Sequence, residues 1–314
     1  YLNSGLFSKK KDVQVDLAFP VVHGTNCEDG TIQGYFEYLG IPYVGCDIIS
    51  SAVGMDKAVY KDVMKNAGIP VLDCVQIRSR DYAENKEDFA KQIAEKIGYP
   101  LIIKPINLGS SVGITKVDSA EGLDEAVTLA FSFADRILAE RAICSLREIN
   151  CSVLGDADNC EASVCEEPFM HDEILSYEDK YLGGSKSENQ GPSKGMASLG
   201  RKIPADLPAE KSQEIRELSC KIFKALGANG VVRIDFMIDT ETDKVYANEI
   251  NTIPGSLAFY LWEASGLKYS DMLDRLIELA FRRQRGRDNL TFTIDTNILS
   301  GVSFGSKGAK GAKL

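Results

Sequence analysis

Between residues 231 and 251 the chain reads Val-Val-Arg-Ile-Asp-Phe-Met-Ile, makes a polar turn over 239–243, and returns as Lys-Val-Tyr-Ala-Asn-Glu-Ile-Asn. Polar and apolar residues alternate in both runs, which is the period-two signature of strands, so the segment is constrained to be a hairpin. Pairing Ile238 with Lys244 across the turn would put Arg233, Asp235, Glu249 and Asn251 on one face and leave Val232, Ile234, Phe236, Ile238, Tyr246 and Ile250 for the core. Magnesium favours one or two carboxylates plus waters and substrate phosphates, so Asp235 and Glu249 with the amide of Asn251 suit a Mg-nucleotide. An arginine beside them can neutralise developing phosphate charge. From these residues alone two readings stay open: a metal–phosphate site, or a solvated hairpin face carrying an Arg–carboxylate pair.

A chain of 314 residues that is 44% apolar can bury a real core and has room for about two or three domains. It holds no 18-residue apolar run and opens on no charged-then-apolar leader, so a soluble cytoplasmic protein without a membrane span is expected. The net charge of -10 argues against a nucleic-acid partner, because backbone phosphates call for a basic face. Eight cysteines are scattered without a CxxC and there are two histidines, so neither a disulfide framework nor a zinc site is suggested. Most of the cysteines read as free, buried thiols. The first residue is Tyr, in a polar segment that runs into an apolar stretch, so the sequence reads as a fragment that has lost its first element.

The pattern along the chain begins with an apolar strand expected over 15–22, a helix over 29–39 and a short strand at 43–44, a βαβ arrangement. Ligands gather at the carboxyl ends of such strands, where His23 and Glu28 fall, although a lone His23 reads equally as a structural histidine. Ser51 is expected to cap a helix running to about residue 67, closed by Gly68 and Pro70. Lys57, Lys61 and Lys65 share one face of it, and for two of them an ordinary solvated stripe is the simpler reading. Strands are expected over 71–77, 101–104, 114–117, 136–141 and 147–154, with helices over 86–97 and 119–133, an α+β alternation. A glycine-rich polar stretch within 177–201 is too polar to pack, and a loop of that length in a compact domain is usually functional or disordered. Helices over 209–226 and 270–283 flank the hairpin, and a basic low-complexity tail follows residue 285, with one strand expected over 290–294.

The segment Leu-Ile-Ile-Lys-Pro-Ile-Asn-Leu-Gly-Ser-Ser-Val-Gly-Ile-Thr-Lys-Val is a strand, a Gly-Ser turn and a second strand. It is not a P-loop, since its glycines join two strands and do not open a helix. Gly109, Ser110, Ser111 and Gly113 would lay backbone N–H groups and hydroxyls over phosphates like a flap, with Lys104 adding a positive charge. A plain β-turn is the competing reading.

Taken together, these segments resemble the ATP-grasp superfamily and, within it, the D-alanine–D-alanine ligase family. The resemblance rests on His23-Gly24 with Glu28-Asp29-Gly30, Ser51-Ala52 with Met55-Asp56-Lys57, Lys104-Pro105 with Gly109-Ser110-Ser111-Val112-Gly113, Tyr177-Glu178 with Lys180-Tyr181, Arg233-Ile234-Asp235, and Asn248-Glu249-Ile250-Asn251-Thr252 with Pro254-Gly255. These blocks stand in family order over about residues 15–283. The resemblance implies an α/β, α+β ATP-grasp fold: a partial parallel βαβ domain (1–52) for substrate, two α+β subdomains clamping ATP (53–139 and 140–286), and a tail (287–314).

It further implies a cytoplasmic ligase of peptidoglycan precursor synthesis that joins two D-amino acids through an acyl phosphate, using ATP and Mg2+ or Mn2+, with D-alanine ahead of D-serine as second substrate. By the same comparison Arg233, Ser110, Tyr181, His23 and Glu28 are catalytic, and Asp235, Glu249 and Asn251 hold the metal. Lys57, Lys104, Gly109, Ser110, Ser111, Gly113, Glu140, Glu148 and Lys180 bind the nucleotide, Glu140 and Glu148 on the adenine and ribose side. Family members commonly form homodimers through the N-terminal domain.

The chain departs from the family in lacking the N-terminal Gly-Gly-x-Ser-x-Glu element, in Cys27, in the extended polar insertion over 183–200, and in Ser256-Leu257-Ala258-Phe259-Tyr260, where Tyr260 stands at the position of a serine that contacts the second substrate. An ATP-grasp ligase for another acceptor and a non-catalytic nucleotide-binding homologue are the competing readings.

Overall fold

The computed structural model describes residues 14–108, 112–168 and 200–291. Gly109, Ser110, Ser111, Tyr177, Lys180 and Tyr181 lie outside the described residues, as do nearly all of the 183–200 insertion and the tail from 292.

The N-terminal part is built from α1 (Thr31–Leu39), α2 (Ile48–Met55) and α3 (Lys57–Asn66). The strand expected over 15–22 does not form: among the described residues a single parallel bridge joins Ala18 to Tyr43, and Val15, Val21 and Val22 are exposed. An apolar run becomes a strand only where a neighbour supplies hydrogen bonds along its length, and here Pro42 and Val44 supply two, at 2.8 and 3.0 Å. The single helix expected from Ser51 is also two helices. Asp47 caps α2 in a reciprocal capping box with Ser50, leaving Ser51 buried inside the helix. Asp56 ends α2 and caps α3, accepting from the backbone N–H of Ala58 and Val59 at 3.0 Å. Arg136 holds the Asp56 carboxylate at 2.7 Å and so fixes the break.

Two antiparallel sheets follow. The first has four strands in the order β1 (Cys74–Arg78), β4 (Arg136–Arg141), β2 (Leu101–Pro105), β3 (Thr115–Val117). Val75, Ile77, Leu101, Ile103 and Ile137 pack on Tyr82, Ile93, Leu123 and Val127 from α4 (Ser79–Glu84), α5 (Lys86–Lys96) and α6 (Leu123–Phe131). The second has five strands in the order β7 (Arg201–Lys202), β6 (Cys160–Pro168), β5 (Leu146–Gly155), β8 (Gly230–Asp239), β9 (Lys244–Asn251). Ile149, Val153, Val232, Ile234, Phe236 and Ile238 on its back face meet Ile215, Ile222 and Phe223 of α7 (Ala209–Ala225), with Tyr60 and Met64 of α3. Each such side chain fully buried contributes roughly 1.5–3 kcal/mol, which anchors this sheet firmly beneath whatever its other face carries. At its far end Trp262 of α8 (Phe259–Ala264) and Leu276 of α9 (Tyr269–Asp288) join Leu154, Val231 and Val44 in a further cluster. Strand β6 was not legible in the sequence because its buried positions include the polar residues Ser163 and Glu166, whose Oγ and Oε1 accept from the Ser152 N–H and the Asn150 amide.

The hairpin register differs from the one expected. Ile238 pairs with Val245, and Asp239 with Lys244. Carried straight through, that register would turn Glu249 and Asn251 toward the core, because a one-residue slip exchanges the faces of a strand. A β-bulge at Asn248 absorbs the slip: Phe236 faces Ala247, but Asp235 faces Glu249 and Arg233 faces Asn251. The four polar residues therefore share one face, as expected, through a device the sequence pattern did not reveal. Val245 and Ala247 enter the core, and Tyr246, expected there, is only half-buried.

Candidate active site

The front face of the five-stranded sheet carries one transverse polar row. Glu166 of β6 pairs in register with Asn150 of β5, Asn150 with Asp235 of β8, and Asp235 with Glu249 of β9. Directly opposed side chains on antiparallel strands lie about 4.5–5.5 Å apart at Cβ, so the row is a continuous band of polar atoms. Arg233 donates through Nε and Nη2 to the two carboxylate oxygens of Asp235, both at 2.7 Å, and Asn251 donates Nδ2 to the same carboxylate at 3.0 Å. Burial pushes the Asp235 carboxyl up against the pull of Arg233, and Glu249 adds to the rise. Glu249 is held at about 2 by the charge of Lys57, which lies 3.0 Å away.

Lys57 and Lys104 reach this face from the other half of the molecule. Lys57 opens α3 just after the Asp56 break; its backbone N–H donates to Ile106 O at 3.0 Å and its ammonium to Leu108 O at 2.9 Å. That ties the end of the Lys104 strand to the helix. Lys104 donates to Asn248 Oδ1, the bulge residue, at 3.4 Å, and forms a close ion pair with Glu140. Glu140 also pairs with Lys61 at 2.9 Å, and all three groups are buried. Burial opposes ionisation of Glu140, yet the two ammonium groups outweigh it and hold the carboxyl at about 2. Burial lowers Lys104, with Glu140 acting in the opposite direction.

Helix α2 closes against β9 because Gly54 lets it: a Cβ there would sit 3.0 Å from the side chains of Ile250 and Thr252. Thr252 in turn donates to Glu28 O at 3.3 Å, bringing the 23–30 loop to the end of the hairpin. Within that loop the Glu28 carboxylate accepts from the Gly24 N–H at 2.6 Å and has His23 Nδ1 3.9 Å away, with His23 half exposed. Gly113 takes φ +71, and an added Cβ would strike Phe133 and Pro105 at 2.8 and 2.9 Å, so the described flank of the Gly-Ser turn tolerates no side chain there. Glu148 stands on β5 opposite Met237.

Several residues of this face were missed in the sequence. Lys61 was grouped with Lys65 as a surface stripe, but Lys61 is fully buried, whereas Lys65 is half-exposed and pairs with Asp73. Its signal was present: Ala58, Tyr60 and Met64 are buried beside it. Tyr260 was noted only as a departure. The structure gives it partners: its hydroxyl lies 3.4 Å from Glu166 Oε1, and the Arg201 guanidinium stacks 4.5 Å above its ring. Burial, with the Glu166 charge, pushes the phenol up to about 12. Asn150 Nδ2 donates to the same Glu166 oxygen at 2.9 Å, while Arg201 stands 3.6 Å from the other. Tyr260 is delivered by three successive non-glycine residues in the left-handed region, Ser256, Leu257 and Ala258, with φ 52, 55 and 51. Each costs on the order of 1–2 kcal/mol, and such strain collects at functional sites.

No group of three or more His, Cys, Asp or Glu placed to hold a metal occurs among the described residues. The donors on the hairpin are two carboxylates and an amide, the sparse set with which magnesium binds together with waters and phosphates. A separate concavity lined by Arg275, Glu161 and Arg282 lies away from this face, and its Arg275–Glu161 and Arg282–Asp156 charges pair with one another. No described helix is long and apolar enough to cross a membrane.

The profile described as D-ala D-ala ligase C-terminus matches residues 63–278, and the one described as D-ala D-ala ligase N-terminus matches residues 3–46. The chain is 46% identical over 270 residues to the D-alanine--D-alanine ligase of Thermoanaerobacter sp. (strain X514), covering 85% of this chain and 71% of that relative. It is 43% identical over 285 residues to the D-alanine--D-alanine ligase of Acetivibrio thermocellus, covering 90% and 71%. Among solved structures it resembles the D-alanine-D-alanine ligase from Coxiella burnetii with a TM-score of 0.71 at 33% identity, over 87% of this chain and 70% of that one. The VanG D-Ala:D-Ser ligase from Enterococcus faecalis matches with a TM-score of 0.72 at 36% identity, over 86% and 74%.

Proposed function

The chain belongs to the D-alanine–D-alanine ligase family, and from that premise we propose that it is an ATP-dependent carbon–nitrogen ligase that joins two D-amino acids, D-alanine first, for peptidoglycan precursor synthesis. The observation that carries the reading is the bulged hairpin face, where Arg233, Asp235, Glu249 and Asn251 meet Lys57 and Lys104. Three cations beside two carboxylates form a surface suited to a metal-bound polyphosphate.

Asp235, Glu249 and Asn251 would hold Mg2+, which when bound supplies charge neutralisation at the phosphates. Lys57 and Lys104 hold phosphate oxygens, Lys57 exchanging part of its present pairing with Glu249 while Lys104 keeps its pairing with Glu140. Gly109, Ser110, Ser111 and Gly113 cover the phosphates, while Glu140 with the backbone after it and Glu148 face adenine and ribose. A D-alanine carboxylate oxygen attacks the γ-phosphorus, the bridging P–O bond to the β-phosphate breaks, and ADP leaves. The amine of the second D-amino acid then attacks the acyl carbon, the C–O bond to phosphate breaks, and the amine loses a proton. Arg233 neutralises the oxyanion of that tetrahedral intermediate. His23 and Glu28 position the first substrate at the end of the hairpin, and Lys180 and Tyr181 keep out water, which would hydrolyse an acyl phosphate. The chain divides functionally at residues 52, 139 and 286. We place the enzyme in the cytoplasm, and its exposed Tyr35, Tyr38 and Leu39 on α1 support assembly as a homodimer.

A second reading of the acceptor is supported by Tyr260. Beyond its 3.6 Å ion pair with Arg201, the buried Glu166 Oε2 takes no hydrogen bond among the described residues, so an acceptor with a side-chain donor, D-serine, would satisfy it. The test is ADP release and dipeptide formation with Mg-ATP and D-alanine, with D-serine, D-lactate and L-amino acids as competing acceptors. The ligase reading expects release with D-alanine, and the acceptor ranking separates D-alanine from D-serine. ATP binding without ADP release for any D-amino acid would refute it.

A further inference from the structure

Lys61 is fully buried, donates to Leu72 O at 3.2 Å, and sits 2.9 Å from Glu140 Oε2. Lys104 pairs with the other oxygen, Oε1, of the same carboxylate. One carboxylate is thus shared between two ammonium groups in a dry environment, and the three groups sum to a single positive charge. Burying an ion is costly unless it does something a neutral side chain could not. A hydrophobic residue in place of Lys61 would leave Glu140 and Lys104 as a neutral pair, with the Lys104 charge cancelled at short range. With Lys61 present, one oxygen of Glu140 is permanently occupied from behind, and the charge that cancels is Lys61's share as much as that of Lys104.

We propose that Lys61 is a positioning residue for nucleotide binding, acting through Glu140 to keep Lys104 an uncompensated cation toward phosphate. The inference rests on the ATP-ligase reading and makes a charge-counting prediction that a purely structural lysine would not. In Lys61→Met the cluster sums to zero, and ATP affinity falls about tenfold. In the double variant Lys61→Met/Glu140→Gln the sum returns to plus one, and the ratio of ATP to adenosine affinity recovers, a ratio that cancels any change on the adenine side where Glu140 stands. Adenosine carries no phosphate, so its own affinity stays level between wild type, Lys61→Met and Lys61→Arg. Lys61→Arg keeps the charge and keeps ATP binding.

The experiment is calorimetric titration of the full chain and each variant with Mg-ATP and with adenosine, after thermal unfolding has shown that each folds. Recovery of the ATP-to-adenosine affinity ratio in the double variant establishes the proposal. ATP affinity in Lys61→Met equal to that of wild type, or a ratio in the double variant as low as in the single one, overturns it. Absence of ATP binding in the wild type would instead strike at the ligase reading itself. Should Lys61→Met fail to fold, Lys61→Gln removes the same charge while keeping a donor for Leu72 O and Glu140, and the same tenfold fall in ATP affinity with level adenosine affinity is expected of it; ATP affinity equal to wild type in that variant overturns the proposal.

Discussion

Two charge clusters lie side by side in this molecule and are built to opposite ends. In the Lys61–Glu140–Lys104 cluster the side chains are 0–5% exposed and each carboxylate oxygen has its own ammonium. On the hairpin face Arg233, Asp235 and Glu249 are 16–28% exposed. The first is closed and the second open, although both are made of the same few residue types. The difference lies in the backbone beneath them. The closed cluster joins α3 to β2 and β4 across a finished core, whereas the open one stands on a bulge that turns two strands' polar residues to the surface. A closed cluster can hold charge in place; an open one can exchange its partners for a ligand's.

The largest break in that comparison comes from Glu140→Ala, which strands two buried ammonium groups. Urea unfolding should show a loss of about 3–5 kcal/mol, and a loss below about 1 would mean the cluster is wetter than described. Glu249→Gln should do the reverse, lowering turnover by about 100-fold or more while leaving the thermal midpoint within a few degrees, because the back face of β9 is untouched. Full activity in that variant would remove Glu249 from the metal set.

Acid sharpens the contrast further. Glu140 is depressed from its ordinary 4.5 to about 2 in the folded chain, so its contribution is fully present above 4.5 and disappears as pH falls toward 2. Urea midpoints should decline across that window, and Glu140→Gln should flatten part of the slope; an unchanged slope would remove Glu140 from the acid response. The smallest effect belongs to Lys65→Ala, whose half-exposed pairing with Asp73 at 3.2 Å is worth at most about 0.5 kcal/mol. A loss comparable to that of Glu140→Ala would erase the distinction between closed and open clusters.

What could be read from the sequence follows from which interactions are local. Period-two alternation placed β8 and β9, and the grouping of Arg233, Asp235, Glu249 and Asn251 came with it. The bulge at Asn248 was not readable, since a slip of one residue leaves no mark in an alternating pattern. The strand over 15–22 failed because, among the described residues, pairing is limited to Ala18 against Tyr43, too short a ladder to order the run. Asp56 was taken as helix interior although it is a strong cap, and its break is what places Lys57 next to Leu108. Glu166 and Arg201 were invisible because their roles arise only when β6, β7 and the left-handed turn before Tyr260 are assembled.

The most direct test of the account labels the D-alanine carboxylate with oxygen-18 and follows the label during turnover with Mg-ATP. Attack of that carboxylate on the γ-phosphorus, followed by loss of phosphate to the incoming amine, predicts one labelled oxygen in the released inorganic phosphate. Phosphate released without label, while dipeptide forms, would contradict the acyl phosphate route and with it the assignment of the hairpin face.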